Sequence, residues 1–484
     1  MCFRRCILAL CILLVYPGFV AAGGDGSCIL GRDPISKPYV VENHSQALVY
    51  WVEKEYSDCT LIHIDAHDDL RRIPEDRISR LQTIFKERDL KALKASDSAG
   101  DKGFYHPGNF LYAAFRLGII KKVYWIIPFP CFSVADPVPA LRSLLRHASF
   151  PEEDIATFEL KGRTFTGNVH GASLILCPSE ELPGITGPVL LSIDADFFPP
   201  LAAATDKSLF SAWHSFSLDL FAGNYLVRDV IIARSIDGGF LEPVRRWVAE
   251  QSREILSFPN LLHEPLPRLW KLREHADFLY VNGGADLLLQ RCRSGLSEFP
   301  RESTLLLYKA FAHLARGETD QAFGLSLDLC RRDPGLCPGM ADLGQLLLDA
   351  DKIDAALRFF EKAYERNPAM NYRQTELAHA MRKKGRYREA LLYYEICRKK
   401  NGCFPTDFLM GQTCLLMGRR KQALFHFDRG LSALERDLYP VIRDEQDFEA
   451  IQSAVIFYEQ NGMKDKATSL AEHPFISGVR AEHS

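Results

Sequence analysis

Leu61-Ile62-His63-Ile64-Asp65-Ala66-His67-Asp68-Asp69-Leu70 is an apolar run that ends abruptly in carboxylates and imidazole. Its first part, Thr60–Ile64, has no polar alternation, as expected for a strand covered on both faces. Val123–Ile127, Ser173–Leu176, Val189–Ile193 and Val230–Ala233 read the same way. Helical patterns separate them at Gln46–Tyr56, Glu75–Ala95, Asn109–Leu117, Pro139–His147 and Glu242–Ile255, and Ser96–Gly108 reads as a loop. Short buried strands alternating with helices predict an α/β domain on a parallel sheet.

Polar groups that gather at the carboxyl end of such a strand sit where α/β sheets place their sites. If the chain stays extended to Leu70, period-two alternation turns Asp65, His67 and Asp69 to one side. His63 and Asp68 are then read as outer partners on the other face. A second run, Val189 to Ile193, ends in Asp194-Ala195-Asp196, again two carboxylates on one side. Buried carboxylates repel one another and lose hydration, and a divalent cation relieves both penalties. Oxygen-rich ligation favours Mn²⁺ or Mg²⁺ over a closed thiolate zinc site.

These motifs resemble those of the arginase/histone-deacetylase superfamily, whose ureohydrolase members carry DAHxD and SxDxD. Asp65-Ala66-His67-Asp68-Asp69 matches the first and Ser192-Ile193-Asp194-Ala195-Asp196 the second, while Asn43-His44-Ser45 falls where those enzymes have GDHS. The Ile62–Leu70 stretch is also similar to the His-x-Asp-x-His-x-Asp-Leu motif of a poorly characterised arginase-like family. The resemblance implies a three-layer arginase-like fold over 28–300 and a binuclear Mn²⁺ site. Its ligands would be His44, Asp65, His67, Asp69, Asp194 and Asp196. A single Zn²⁺ on Asp65, His67 and Asp194 is the alternative. The implied activity is hydrolysis of a non-peptide C–N bond (amide, guanidine or amidine) in a small molecule or modified amine. Two cations would hold a hydroxide near neutral pH. Asp69 or Asp68 would take its proton, and a histidine would protonate the leaving nitrogen. His106, in Tyr105-His106-Pro107-Gly108-Asn109, has the expected order in the chain, and His170, in Gly167-Asn168-Val169-His170-Gly171, the expected local sequence. Departures are Pro199-Pro200, the lack of a convincing guanidinium-gripping glutamate, and Phe240 where deacetylases have tyrosine.

From Ser303 the strand runs stop and a 34-residue period begins. Gly317, Ala322 and Pro334 open it, and Gly344, Ala356, Phe360 and Pro368 follow at matching offsets. Leu377, Gly385 and Ala390 mark a third unit and Gly411, Gly418, Ala423 and Phe427 a fourth. The pattern resembles tetratricopeptide repeats, all-α helix pairs stacked into a solenoid. About four units and a cap near Gly462 are expected over 303–475. Such arrays offer a groove to a protein or peptide, or pack on a neighbouring domain as a lid or spacer. On one reading, the chain is an enzyme joined to this array. In the competing one it is a non-catalytic extracytoplasmic scaffold whose α/β domain is structural.

The chain has 484 residues, 47% hydrophobic and 25% charged, enough for two or three packed domains. Its 59 basic and 62 acidic residues leave a net charge of −3, which argues against a nucleic-acid partner. Arg4-Arg5, an apolar run to Val20 and the small residues Ala21-Ala22 read as a signal peptide over 1–22. The expected location is extracytoplasmic: periplasm, secretory lumen or secreted. Membrane association is not expected. Of the thirteen cysteines, Cys28/Cys59, Cys330/Cys337 and Cys397/Cys403/Cys414 are candidates for disulfides, with the pairing open.

Overall fold

The computed structural model describes residues 27–99, 103–148, 150–368, 370, 372–401, 405–436 and 445–473, so the leader expected over 1–22 lies outside the described residues. Nine strands form one sheet: β1 (Cys28–Ile29), β2 (Tyr39–Val41), β3 (Cys59–Ile64), β4 (Ile120–Ile127), β5 (Glu159–Lys161), β6 (Thr164–Val169), β7 (Ala172–Pro178), β8 (Val189–Asp194) and β9 (Leu226–Ala233). Their order is β1-β9-β8-β3-β4-β7-β6-β5, and β2 also pairs with β9.

The centre, β9-β8-β3-β4-β7, is parallel, as expected from the apolar runs. The sheet as a whole is mixed, which corrects the all-parallel expectation. β1 runs antiparallel to β9, and β5-β6-β7 is an antiparallel meander at the other edge. These edge strands are short or partly exposed, so they lack the continuous apolar signature of the centre. Leu61, Val123 and Leu190 enter one apolar core with Trp51 and Phe110, whereas Ile62, Ile126 and Leu191 enter another with Trp213 and Trp247. Alternate residues of each strand thus feed opposite faces, and helices cover both, giving three layers.

The rest is helix pairs: Arg268–Val281 with Ala285–Glu298, Ser303–Ala315 with Thr319–Arg332, Cys337–Asp349 with Ile353–Arg366, Gln374–Lys383 with Tyr387–Asn401, Thr406–Leu416 with Arg420–Arg436, and Glu445–Gln460 with Lys464–Ala471. Several of these helices are amphipathic. Ile353–Arg366, for example, buries Ala356, Leu357, Phe360, Ala363 and Tyr364 on one side. The turn between partners needs a left-handed residue, supplied by Gly283, Gly317, Asp351 and Gly385 at intervals of 34. Small residues let partners close: a Cβ on Gly344 would lie 3.3 Å from Phe359 and Phe360. The array therefore begins one pair before Ser303, and one apolar core runs through it from Leu272 to Leu470.

Among the described residues no cysteine is in a disulfide, and no described helix is long and apolar enough to cross a membrane. The candidates Cys28, Cys59, Cys330, Cys337, Cys397 and Cys414 thus form no disulfide there, and Cys403 lies outside the described residues.

Candidate metal centre

Four neighbouring strands deliver polar groups to one point. In the register of β3 and β8, Ile64 faces Ile193, which sets Asp65 beside Asp194 at the carboxyl edge. β9 pairs Ala233 with Asp194, and β2 pairs Val41 with Ala233, so Ser235 and His44 emerge at the same edge.

Beyond Ile64 the chain does not stay extended, which corrects the alternation expected for 65–69. The Asp65 carboxylate accepts the His67 amide at 2.7 Å, and Asp68 accepts that of Leu70 at 2.8 Å. Asp194 likewise accepts the Asp196 amide at 3.0 Å. Such Asx turns fold each motif back on its own strand end. Asp69 takes a left-handed backbone, φ 52°, and its carbonyl accepts Leu111 N at 3.0 Å.

The His44 Nδ1 lies 2.8 Å from Asp65 Oδ2, 3.2 Å from Asp194 Oδ2 and 3.4 Å from Asp69 Oδ2. Its Nε2 lies 2.5 Å from the Ser192 hydroxyl, which orients the ring. His67 Nδ1 lies 3.2 Å from Asp196 and 3.5 Å from Asp65. The six sequence-predicted ligands therefore come together. Two overlapping groups have spacing suited to an ion: His44, His63, Asp65 and Asp69, and Asp65, His67 and Asp196. Asp65 belongs to both, as a bridging carboxylate would.

His63 is the member that the sequence reading set on the wrong face. It stands two residues before Asp65, so period two puts it on the same side, with Nε2 3.4 Å from Asp65 Oδ2. Both its ring nitrogens and Asp196 Oδ1 are buried with no hydrogen-bond partner. Buried polar atoms without partners are unfavourable. Here they are atoms of the kind that ligate divalent cations, and His63 Nε2 faces Asp65 within the cluster, so the residues present fit a metal.

Charge makes the same point. His44, Asp65, Asp69, Asp194 and Asp196 are all buried, and among the described residues no lysine or arginine forms an ion pair with these carboxylates. Burial, then Asp65, holds the Asp69 carboxyl well above the usual carboxylate range, and burial, then Asp194, does so for Asp196. Burial also pushes up Asp65, but His63, His44 and His67 outweigh it and bring this carboxyl below its ordinary value. Burial works against charging His44, yet its bonds to Asp194 and Asp65 raise it well above an ordinary imidazole. The same balance, with Asp196 and Asp65, raises His67 to about 12. Burial lowers His63 to about 3, leaving it a neutral donor. His67 is the exposed member, 46% accessible, with the Phe240 ring 4.8 Å away, edge-on.

Neither candidate acid joins the cluster. His106 caps the turn Pro107–Asn109, its Nδ1 accepting Gly108 N at 3.2 Å while its own amide donates to Asn109. Burial lowers its pKa to about 4. His170 and Gly171 both have positive φ and form the two-residue hairpin joining β6 to β7. That hairpin precedes β7, at the sheet edge opposite the carboxyl ends, and His170 packs on Tyr112 there. The Gly-Asn-x-His-Gly segment is a turn signal. Trp213 and His214 are also structural, bonded to Ser252 and the Leu262 carbonyl.

Comparison with known proteins yields no matching family model. A stretch of 114 residues is 32% identical to Superkiller complex protein 3 of Mus musculus, and the match covers 23% of this chain but only 7% of that protein. Among solved structures, MamA matches at 19% identity and TM-score 0.27 over 35% of this chain and 98% of its own. YrrB, described as a TPR protein with an unusual peptide-binding site, matches at 14% identity and TM-score 0.28 over 42% of this chain and 97% of its own. The chain carries a helical solenoid whose turns recur at intervals of 34 residues, and the proteins that match part of it include one described as a TPR protein.

Proposed function

We propose that the sheet region is an arginase-like divalent-metal hydrolase of C–N bonds and that the solenoid binds a protein or peptide. The observation that carries the first part is the pair of overlapping ligand groups sharing Asp65, four buried carboxylates with imidazoles as their only ion partners among the described residues. Oxygen-rich donors shared between two groups suit a pair of Mn²⁺ ions better than a lone Zn²⁺. His44, His63, Asp65 and Asp69 would hold one ion and Asp65, His67 and Asp196 the other. Asp194 would steady His44. When bound, such ions lower the pKa of water and polarise the group under attack. The chain positions the rest: Ser192 fixes the His44 ring, Asp69 lies within reach as proton acceptor, and the substrate arrives beside exposed His67 and Phe240.

Elemental analysis of the purified chain tests this reading. Stoichiometric Mn, lost in the Asp65→Ala/Asp194→Ala double variant, is the expected result, followed by release of urea, ammonia, amine or acetate from a substrate panel. A metal-free folded chain overturns it. That result would leave the scaffold reading, which the structural roles of His106 in a turn cap and of His170 in a hairpin favour.

A further inference from the structure

The segment that leaves β9 touches the metal centre at one end and the solenoid's core at the other. The Ser235 hydroxyl donates to Asp194 Oδ2 at 2.5 Å, from a left-handed backbone with φ 53°. Its carbonyl accepts the amides of Phe240 (3.1 Å) and Leu241 (3.0 Å), closing a tight loop whose Phe240 flanks His67. The Glu42 carboxylate accepts the amides of Ile236 and Asp237 from the other side. Three residues further on, Val244 is 1% exposed and belongs to the solenoid's apolar core, not the sheet's.

Polar contacts fix the same stretch to the array. Arg245 Nε donates to Asp277 at 3.1 Å, and Asp277 also accepts the Tyr308 hydroxyl at 2.7 Å. Trp247 Nε1 donates to that hydroxyl at 3.4 Å, and Arg246 pairs with Asp333 at 3.2 Å. Apolar and polar contacts therefore both bind this segment to the first helix pairs. A site is only as precise as the residues that lock its ligands, and here the lock is anchored in another region.

We infer that the solenoid's first helix pairs are a buttress of the metal centre: through Val244, Arg245 and Arg246 they hold the Ser235–Leu241 loop so that Ser235 orients Asp194. Asp277 is thus a positioning residue for a centre it does not touch. The inference rests on the metal reading above and gives the array a role separate from ligand capture.

The experiment is a two-by-two cycle on the full chain, reading Mn²⁺ affinity from the electron-paramagnetic signal of free Mn²⁺. Asp277→Asn and Ser235→Ala should each weaken binding about tenfold, the scale of lost outer contacts to a metal site. Because the first acts through the second, the double variant should bind no more weakly than Ser235→Ala alone. Wild-type affinity in folded Asp277→Asn, or losses that multiply in the double variant, overturns the buttress. Arg246→Ala, which breaks a partly exposed pair, repeats the test if Asp277→Asn does not fold. Failure of the wild-type chain to bind Mn²⁺ strikes the metal reading itself, a separate outcome.

Discussion

The solenoid and the sheet both bury carboxylates, and they compensate them in opposite ways. In the solenoid, Asp277 meets Arg245 and Tyr308, Asp342 meets Tyr372 and Arg373, and Asp407 meets Arg429. Each of these three acids has a guanidinium, a permanent charge that the chain carries itself. At the sheet's carboxyl edge, Asp65, Asp69, Asp194 and Asp196 have only imidazoles as ion partners among the described residues. A scaffold balances its charges internally; a site built for a cation leaves them open.

That contrast can be broken at several points. The largest effect is expected from Asp65→Asn, which neutralises the carboxylate proposed to be shared by the two ions. Mn²⁺ affinity should drop more than about 100-fold, beyond the loss of an outer contact, as read by elemental analysis after dialysis. Asp407→Asn should leave metal content unchanged but lower unfolding stability by about 3 kcal/mol, because Arg429 loses its buried partner; urea titration measures this.

Asp342 sharpens the comparison through pH. Burial, against the pull of Arg373 and Tyr372, holds its carboxyl at about 6, above the ordinary 3.8. The unfolded chain releases this proton first, so between those values the native state binds more protons and stability should fall as pH rises, by about 2 kcal/mol. Asp342→Asn should flatten that slope in urea titrations run from pH 4 to 6. The smallest effect has the opposite sign. In chelator, Asp196→Asn should stabilise the chain by about 1 kcal/mol, since a neutral amide replaces a carboxyl that burial, Asp194 and Asp65 make costly to ionise. A loss of stability there would mean that the cluster is balanced without an ion.

Much of this was legible in the chain. The apolar runs gave the central strands, the carboxylates and His67 at their ends gave five of the residues that converge, and the family resemblance supplied His44. The failures have physical causes. Asp65, Asp68 and Asp194 bond to nearby amides, so strand alternation stops at Ile64. His63 needed only the period-two rule applied backwards from Asp65. His170-Gly171 is a turn whose residues match a catalytic segment, because Asn, His and Gly also tolerate left-handed backbone. The first helix pair escaped notice because its landmark, Gly283, stands 34 residues before Gly317 in a segment without the later aromatic pattern. No sequence period reveals that Ser235 reaches Asp194, which depends on the register of β8 against β9.

Val244 has one more consequence. A side chain that comes from the α/β half and is packed among leucines of the helical half couples the melting of the two. Calorimetry should record a single cooperative transition. Severing the chain near Pro300 would strand Arg268–Glu298 with its sticky side bare, leaving a fragment prone to aggregate and not a free-standing enzyme.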